Sequence, residues 1–167
     1  MADQASTPEI EVLKREQSGL YGVVWRGRQS KLDRDVAIKF IKPSMLGARD
    51  AIAHAKSLAK ISHPNVVTVH YVTQLTDPDT GALADCVVME WLDGDRLDVR
   101  LAGARFSFAE ALKLCNELLN GLEAIHAQGV AHGDLHCGNV ILSQNGTKII
   151  DINYAESESL ARLSTTS

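Results

Sequence analysis

At 167 residues the chain has room for one ordinary domain or two small lobes with a real hydrophobic core. A formal net charge of −4 offers no basic surface for nucleic acid, and no apolar run is long enough to span a bilayer. Cys86, Cys115 and Cys137 are odd in number and lack metal-type spacing, so reduced thiols in a soluble, cytoplasmic protein are expected, with no nucleic-acid or membrane partner.

Residues 1–8 are small and polar and read as a frayed tail. Alternation predicts a first strand from Ile10 to Leu13 and a second from Tyr21 to Arg28, with Gly19 and Gly22 in the turn between them. Glycines there let backbone N–H groups approach phosphate oxygens with no side chain intervening. Asp35-Val36-Ala37-Ile38-Lys39 reads as a strand ending on a lysine. A helix is expected from about Ala48 to Ile61, stopped by His63-Pro64. Val66–Val72 and Cys86–Leu92 form a hairpin around the turn chemistry of Asp77-Pro78-Asp79-Thr80-Gly81. Gly94 breaks the second of these strands and begins the crossing into a helical region.

Ser107-Phe108-Ala109-Glu110 is a capping box, contributing on the order of 1 kcal/mol to starting a helix. Ala111, Cys115, Leu118, Leu122 and Ile125, with Leu112 and Leu119 alongside, give an apolar stripe that reads as core, and Gly129 closes the helix after Ala127. His126 reads as a structural histidine with its hydrogen bonds satisfied.

The chemistry concentrates in His132-Gly133-Asp134-Leu135-His136-Cys137-Gly138-Asn139 and the Ile149-Ile150-Asp151 run. A short strand, Val140–Leu142, and the Gln144-Asn145-Gly146 turn separate them. That strand-turn-strand brings Asn139 and Asp151 to one end of a hairpin with Asp134 beside them. Two oxygen ligands and a separate carboxylate suit a magnesium-phosphate group and a hydroxyl that needs a proton acceptor.

Four motifs in order carry a resemblance: Gln17–Trp25 around Gly19 and Gly22, the Val36-Ala37-Ile38-Lys39 strand, His63-Pro64-Asn65 with Val88–Leu92, and the loop just described. Together they resemble the amino-terminal half to two-thirds of a protein Ser/Thr kinase of the bacterial type. The resemblance implies an α+β, protein-kinase-like fold: an antiparallel sheet lobe with one helix over residues 1–92, then a truncated helical lobe over 93–167. It implies ATP and magnesium as cofactors and γ-phosphoryl transfer to a hydroxyl. Gly19, Gly22, Val24, Ala37, Lys39, Met89, Glu90, Leu92 and Ile141 would bind ATP, with Lys39 on the α and β phosphates and Glu90–Leu92 as the hinge. Asp134 would be the catalytic base, Asn139 and Asp151 the metal ligands. His132 would stack with Leu58, Val69 and Ile152 in a column joining the lobes.

Several positions depart from the family pattern. Gln17 stands for the first loop glycine, and His54 occupies the place of the glutamate that usually pairs with the lysine, with Asp50 one helical turn before it. Gly133 replaces an arginine that binds a phosphorylated activation loop. His136 replaces a lysine that steadies the transferred phosphate, which it can do protonated or as a neutral donor. Asn153 stands for the glycine of Asp-Phe-Gly. These departures keep open a pseudokinase that binds ATP or scaffolds, and the His-Gly-Asp-Leu-His run keeps open a small-molecule kinase of the aminoglycoside or choline type. The acceptor is thus a protein or a small hydroxyl compound. Because Ser164–Ser167 follow Asp151 so soon, the rest of a kinase domain or a second chain is expected to cover an open face around Leu118 and Leu122.

Overall fold

The computed structural model describes residues 10–19, 22–41, 52, 55–56 and 58–151. Five antiparallel strands form the first sheet: β1 (Ile10–Gly19), β2 (Gly22–Gln29), β3 (Arg34–Phe40), β4 (Val69–Thr76) and β5 (Leu83–Glu90), in the spatial order β1-β2-β3-β5-β4. β6 (Gly94–Arg96), β7 (Val140–Ser143) and β8 (Gly146–Ile149) make a second, three-stranded antiparallel sheet. Between β6 and β7 lie α1 (Leu97–Gly103) and α2 (Phe108–His126). The fold is therefore α+β, a sheet lobe followed by helices and a small sheet.

Strand parity sorts the first sheet's residues onto two faces. Val36, Ile38 and Phe40 of β3 bury with Cys86 and Val88 of β5 on one side, and each fully buried aliphatic chain contributes about 1.5–3 kcal/mol. Ala37 and Lys39 therefore point to the other side, with Val24, Val87 and Met89 as their cross-strand partners. On that side Val87 joins a second cluster containing Leu58, Ile61, Val66, Val69, Ile125 and Ile149, which ties the sheet to α2 and β8.

The join between the two parts is hydrogen-bonded as well as apolar. Residues 65–67 run parallel to β8: Ile149 N donates to Asn65 O at 2.9 Å and Val67 N to Ile149 O at 2.9 Å. The Asn65 side chain donates to Thr147 O at 2.8 Å. α2 comes very close here, since a β-carbon on Gly121 would stand 2.8 Å from Asn65 O. The Glu117 carboxylate on the next inward turn accepts from both the N–H and the hydroxyl of Thr147.

Several expectations need correction. β1 runs on to Gly19 and tolerates irregular register at Val12/Lys14 and Arg15/Gln17, so Gly19 and Gly22 pair at the strand ends and do not form the turn itself. β4 begins at Val69, because 66–68 are engaged by β8 and Glu90. Gly94 starts β6: a β-carbon there would fall 2.2 Å from Leu142 O, so the glycine permits strand contact where a chain break was expected. α1 was not foreseen. The capping box holds, with Ser107 and Glu110 bonded reciprocally, but the stripe of α2 is core only in part. Gly121 and Ile125 are buried and Leu118 and Leu122 pack at the cluster's edge, whereas Leu112, Cys115 and Leu119 are exposed. The uncovered apolar face is thus Phe108, Leu112 and Leu119, and not Leu118 and Leu122. His126 is exposed. Of the helix expected over 48–61, the described residues Ile52, Ala55, Lys56 and Leu58 are helical, whereas Ala59 and Lys60 form a turn and Ile61 lies beyond it. Asp50, His54, Ile152, Asn153 and Ser164–Ser167 lie outside the described residues.

Candidate functional site

Two parts of the chain meet where the sheet's open face abuts the β7–β8 hairpin. Lys39 lies on β3 and its ammonium donates to Asp151 Oδ1. The two side chains are 15% and 33% exposed, so the pair is shielded but reachable. Asp151 follows β8 at φ 58°, a left-handed conformation that aspartate tolerates better than most residues and that turns its carboxylate out of the strand direction. Val24, Ala37 and Met89 share the face of Lys39. Glu90 ends β5, and Trp91 and Leu92 follow, half-buried. Ile141 pairs with Lys148 in the hairpin and with Arg96 of β6.

Asn139 is buried at the end of a 3-10 turn, Cys137–Asn139, immediately before β7. Its carbonyl accepts from Ile150 N at 2.9 Å, which sets it one residue from Asp151 across the hairpin. Its side-chain nitrogen donates to Asp134 O at 2.8 Å. A carbonyl can only accept, so the amide orientation is fixed and Oδ1 is left as the outward acceptor.

His132 is buried, and its Nε2 lies 3.0 Å from Ile150 O while its Nδ1 accepts from Asp134 N at 3.3 Å. Those partners select the neutral Nε2–H form. Burial pushes the imidazole below its ordinary value, only partly opposed by the Ile150 carbonyl. His132 thus braces the loop that carries Asp134. Leu58 and Val69 are buried in the cluster that joins the two parts. Gly133 sits at φ 77°, where an arginine would be strained. His136 Nε2 stands 3.7 Å from Asp134 Oδ2.

Sequence reasoning missed two further contacts. The Glu90 carboxylate accepts from Lys148 Nζ at 2.6 Å and from Thr68 N at 2.7 Å, locking the end of β5 to β8. Strand alternation puts Lys148 opposite the buried Thr147 and Ile149, which is the only signal the sequence held. The Arg26 guanidinium, held by Asp35, lies 4.7 Å from the centroid of the Trp91 ring. Arg26 and Arg28 together keep the Asp35 carboxyl below its usual range.

The donor set fits magnesium held through phosphates. Among the described residues no group of three or more His, Cys, Asp or Glu could cage an ion by itself. One carboxylate plus one amide oxygen matches an ion that retains waters and takes its remaining ligands from substrate phosphates. An ammonium paired with one carboxylate, with an amide and a second carboxylate close by, is a donor set that suits a phosphate together with a hard cation.

Comparison with known proteins agrees. The family described as "Protein kinase domain" matches residues 13–165, and the chain belongs to that family. The serine/threonine-protein kinase PknA of Mycobacterium tuberculosis is 29% identical over 155 residues, covering 89% of this chain and 36% of that protein. The probable serine/threonine-protein kinase PknB of Lactococcus lactis is 30% identical over 162 residues, 93% of this chain and 25% of that protein. The serine/threonine-protein kinase pkn2 of Myxococcus xanthus is 35% identical over 157 residues, 87% of this chain and 18% of that protein. The chain thus spans about a fifth to a third of the length of these relatives. Their bacterial origin fits the type that the motifs resemble. The family in general uses ATP with magnesium and acts on proteins. Among the described residues no helix is long and apolar enough to cross a membrane.

Proposed function

We propose that the chain carries the ATP- and magnesium-dependent phosphotransfer site of a protein Ser/Thr kinase, moving the γ-phosphoryl group to a hydroxyl. The observation that carries this reading is the meeting of Lys39 and Asp151, 112 residues apart, at the junction of the two parts. Lys39 would hold the α and β phosphates, and Val24, Ala37, Met89, Leu92 and Ile141 would line the base, with Gly19 and Gly22 over the phosphates. Glu90 would contribute its backbone carbonyl, since its N–H goes to Thr68 O at 2.9 Å and its carboxylate to Lys148. Asn139 and Asp151 would hold magnesium, which neutralises phosphate charge when bound. Asp134 would accept the hydroxyl proton, with His136 beside it.

Residues 1–92 would form the first lobe and 93–167 the beginning of the second. The exposed Phe108, Leu112 and Leu119 support a covering by further kinase-domain sequence or a second chain. Cys115 and Cys137 are exposed and unbridged, which supports a reducing, cytoplasmic setting.

Thermal-shift titration with ATP, with and without magnesium, tests binding, and radiolabelled transfer to casein, choline or an aminoglycoside tests the acceptor. Stabilisation by magnesium-ATP with labelling of casein is the expected result. Stabilisation without transfer, in a chain extended beyond Ser167, leaves a binding module. Labelling of a small alcohol alone makes it a small-molecule kinase.

A further inference from the structure

The histidine at 136 occupies a place where the kinase resemblance puts a phosphate-steadying lysine, but its surroundings assign it different work. Its Nδ1 accepts from Gly138 N at 3.0 Å, and its carbonyl accepts from Asn139 N at 2.9 Å. The imidazole therefore caps the short turn that delivers Asn139. Gly138 is buried, and a β-carbon there would stand 2.8 Å from the imidazole Cε1, 3.0 Å from Nδ1 and 3.2 Å from an Arg96 nitrogen. Its φ is not in the left-handed range, so backbone freedom is not what demands glycine. The ring lying against its backbone is.

A nitrogen that accepts from an amide keeps its lone pair on that side, so the neutral ring carries its proton on Nε2. Nε2 is 3.7 Å from Asp134 Oδ2. One oxygen about 2.8 Å from each atom completes that triangle at ordinary hydrogen-bond lengths. Such an oxygen must donate to the carboxylate and accept from the imidazole. A phosphoryl oxygen cannot donate; a hydroxyl can do both.

We propose that neutral His136, fixed as its Nε2–H form by Gly138, positions the acceptor hydroxyl jointly with Asp134 and does not grip the transferred phosphate. This rests on the phosphotransfer reading above. Asp134 takes the hydroxyl proton as the oxygen–phosphorus bond forms and the bond to the ADP oxygen breaks, while the Nε2–H bond keeps the attacking oxygen in place. Gly138 is then a positioning residue acting through His136.

The test compares His136→Asn, His136→Gln and Gly138→Ala in steady-state transfer to a serine peptide, together with imidazole nitrogen shifts of the wild type. Asparagine keeps an acceptor for the Gly138 amide but has no donor at the Nε2 position, whereas glutamine restores that donor. The expected result is a fall in kcat/KM for the peptide of about three- to tenfold in His136→Asn and Gly138→Ala, with partial recovery in His136→Gln and an unchanged KM for ATP. A rise in the KM for ATP in His136→Asn, or wild-type peptide kinetics in that variant, would overturn the assignment. So would a wild-type ring protonated on Nδ1, which the nitrogen shifts read without turnover. A wild type that binds magnesium-ATP but labels no acceptor contradicts the phosphotransfer reading, and is distinct from either result.

Discussion

Lys39 and Asp151 form an ion pair across the junction between the sheet lobe and the β7–β8 hairpin. The pair sets the two proposed ligand functions against each other. Lys39 cannot give its full charge to a phosphate, nor Asp151 to a metal, until the contact between them is relaxed.

Asp151→Asn should therefore act with opposite signs on two forms of the nucleotide. Magnesium-free ATP should bind more tightly, because the ammonium no longer competes for a carboxylate. The gain in affinity that magnesium gives the wild type should shrink by about tenfold, roughly 1.4 kcal/mol. Calorimetric titration with EDTA or with magnesium reads both. Equal loss in the two conditions would contradict the competition.

Asp134→Asn separates chemistry from binding. Removing a general base lowers transfer by about 10²–10⁴-fold while the side chains of Lys39, Asn139 and Asp151 stay in place. ATP affinity should stay within about twofold of the wild type, well inside the tenfold that 1.4 kcal/mol represents. A parallel fall in affinity and turnover would move Asp134 from proton acceptor to binding group.

The Glu90–Lys148 contact is more shielded than a surface pair, with side chains 25% and 12% exposed. Lys148→Met leaves Glu90 bonded to Thr68 N but without its counter-charge, and should cost about 1–3 kcal/mol in a denaturant melt. Pairing it with Glu90→Gln should cost less than the two single losses added together. Strict additivity would mean that the bridge is not formed in solution.

Acid should destabilise the fold through the buried His132 and the half-buried His70. Burial lowers both His132 and His70 from the ordinary 6.5, so the unfolded chain takes up protons first as pH falls. Their contribution is complete above 6.5 and is lost as pH drops through the depressed folded values. Urea melts at pH 8 and pH 5.5 should show lower stability at pH 5.5, with a smaller difference in His132→Gln. A flat profile between those values would contradict the assignment of neutral rings at these two positions.

Local rules made much of this legible in the sequence. Alternation in Asp35–Lys39 fixed which side chains share the face of Lys39, and Ser107 with Glu110 announced the start of α2. Non-local choices were not legible. α2 carries two apolar stripes, and only contact with Asn65 and Ile149 decides that Gly121 and Ile125 face inward while Leu112, Cys115 and Leu119 do not. Gly94 reads as a strand breaker until the closeness of Leu142 is known. Asp50 and His54, the residues the helix before His63 offers to Lys39, lie outside the described residues. The contact of Lys39 with Asp151 spans 112 residues, a separation no local pattern encodes.

The central claim is that Lys39 and Asp151 serve one triphosphate. Titrating magnesium-ATP into the wild type, Lys39→Met, Asp151→Asn and the double variant tests it most directly. Lys39→Met should weaken binding by about tenfold or more and Asp151→Asn by somewhat less than tenfold, since the Lys39 ammonium is then freed for the phosphates, and the double change should cost clearly less than the two combined. Wild-type affinity in both single variants would contradict the account.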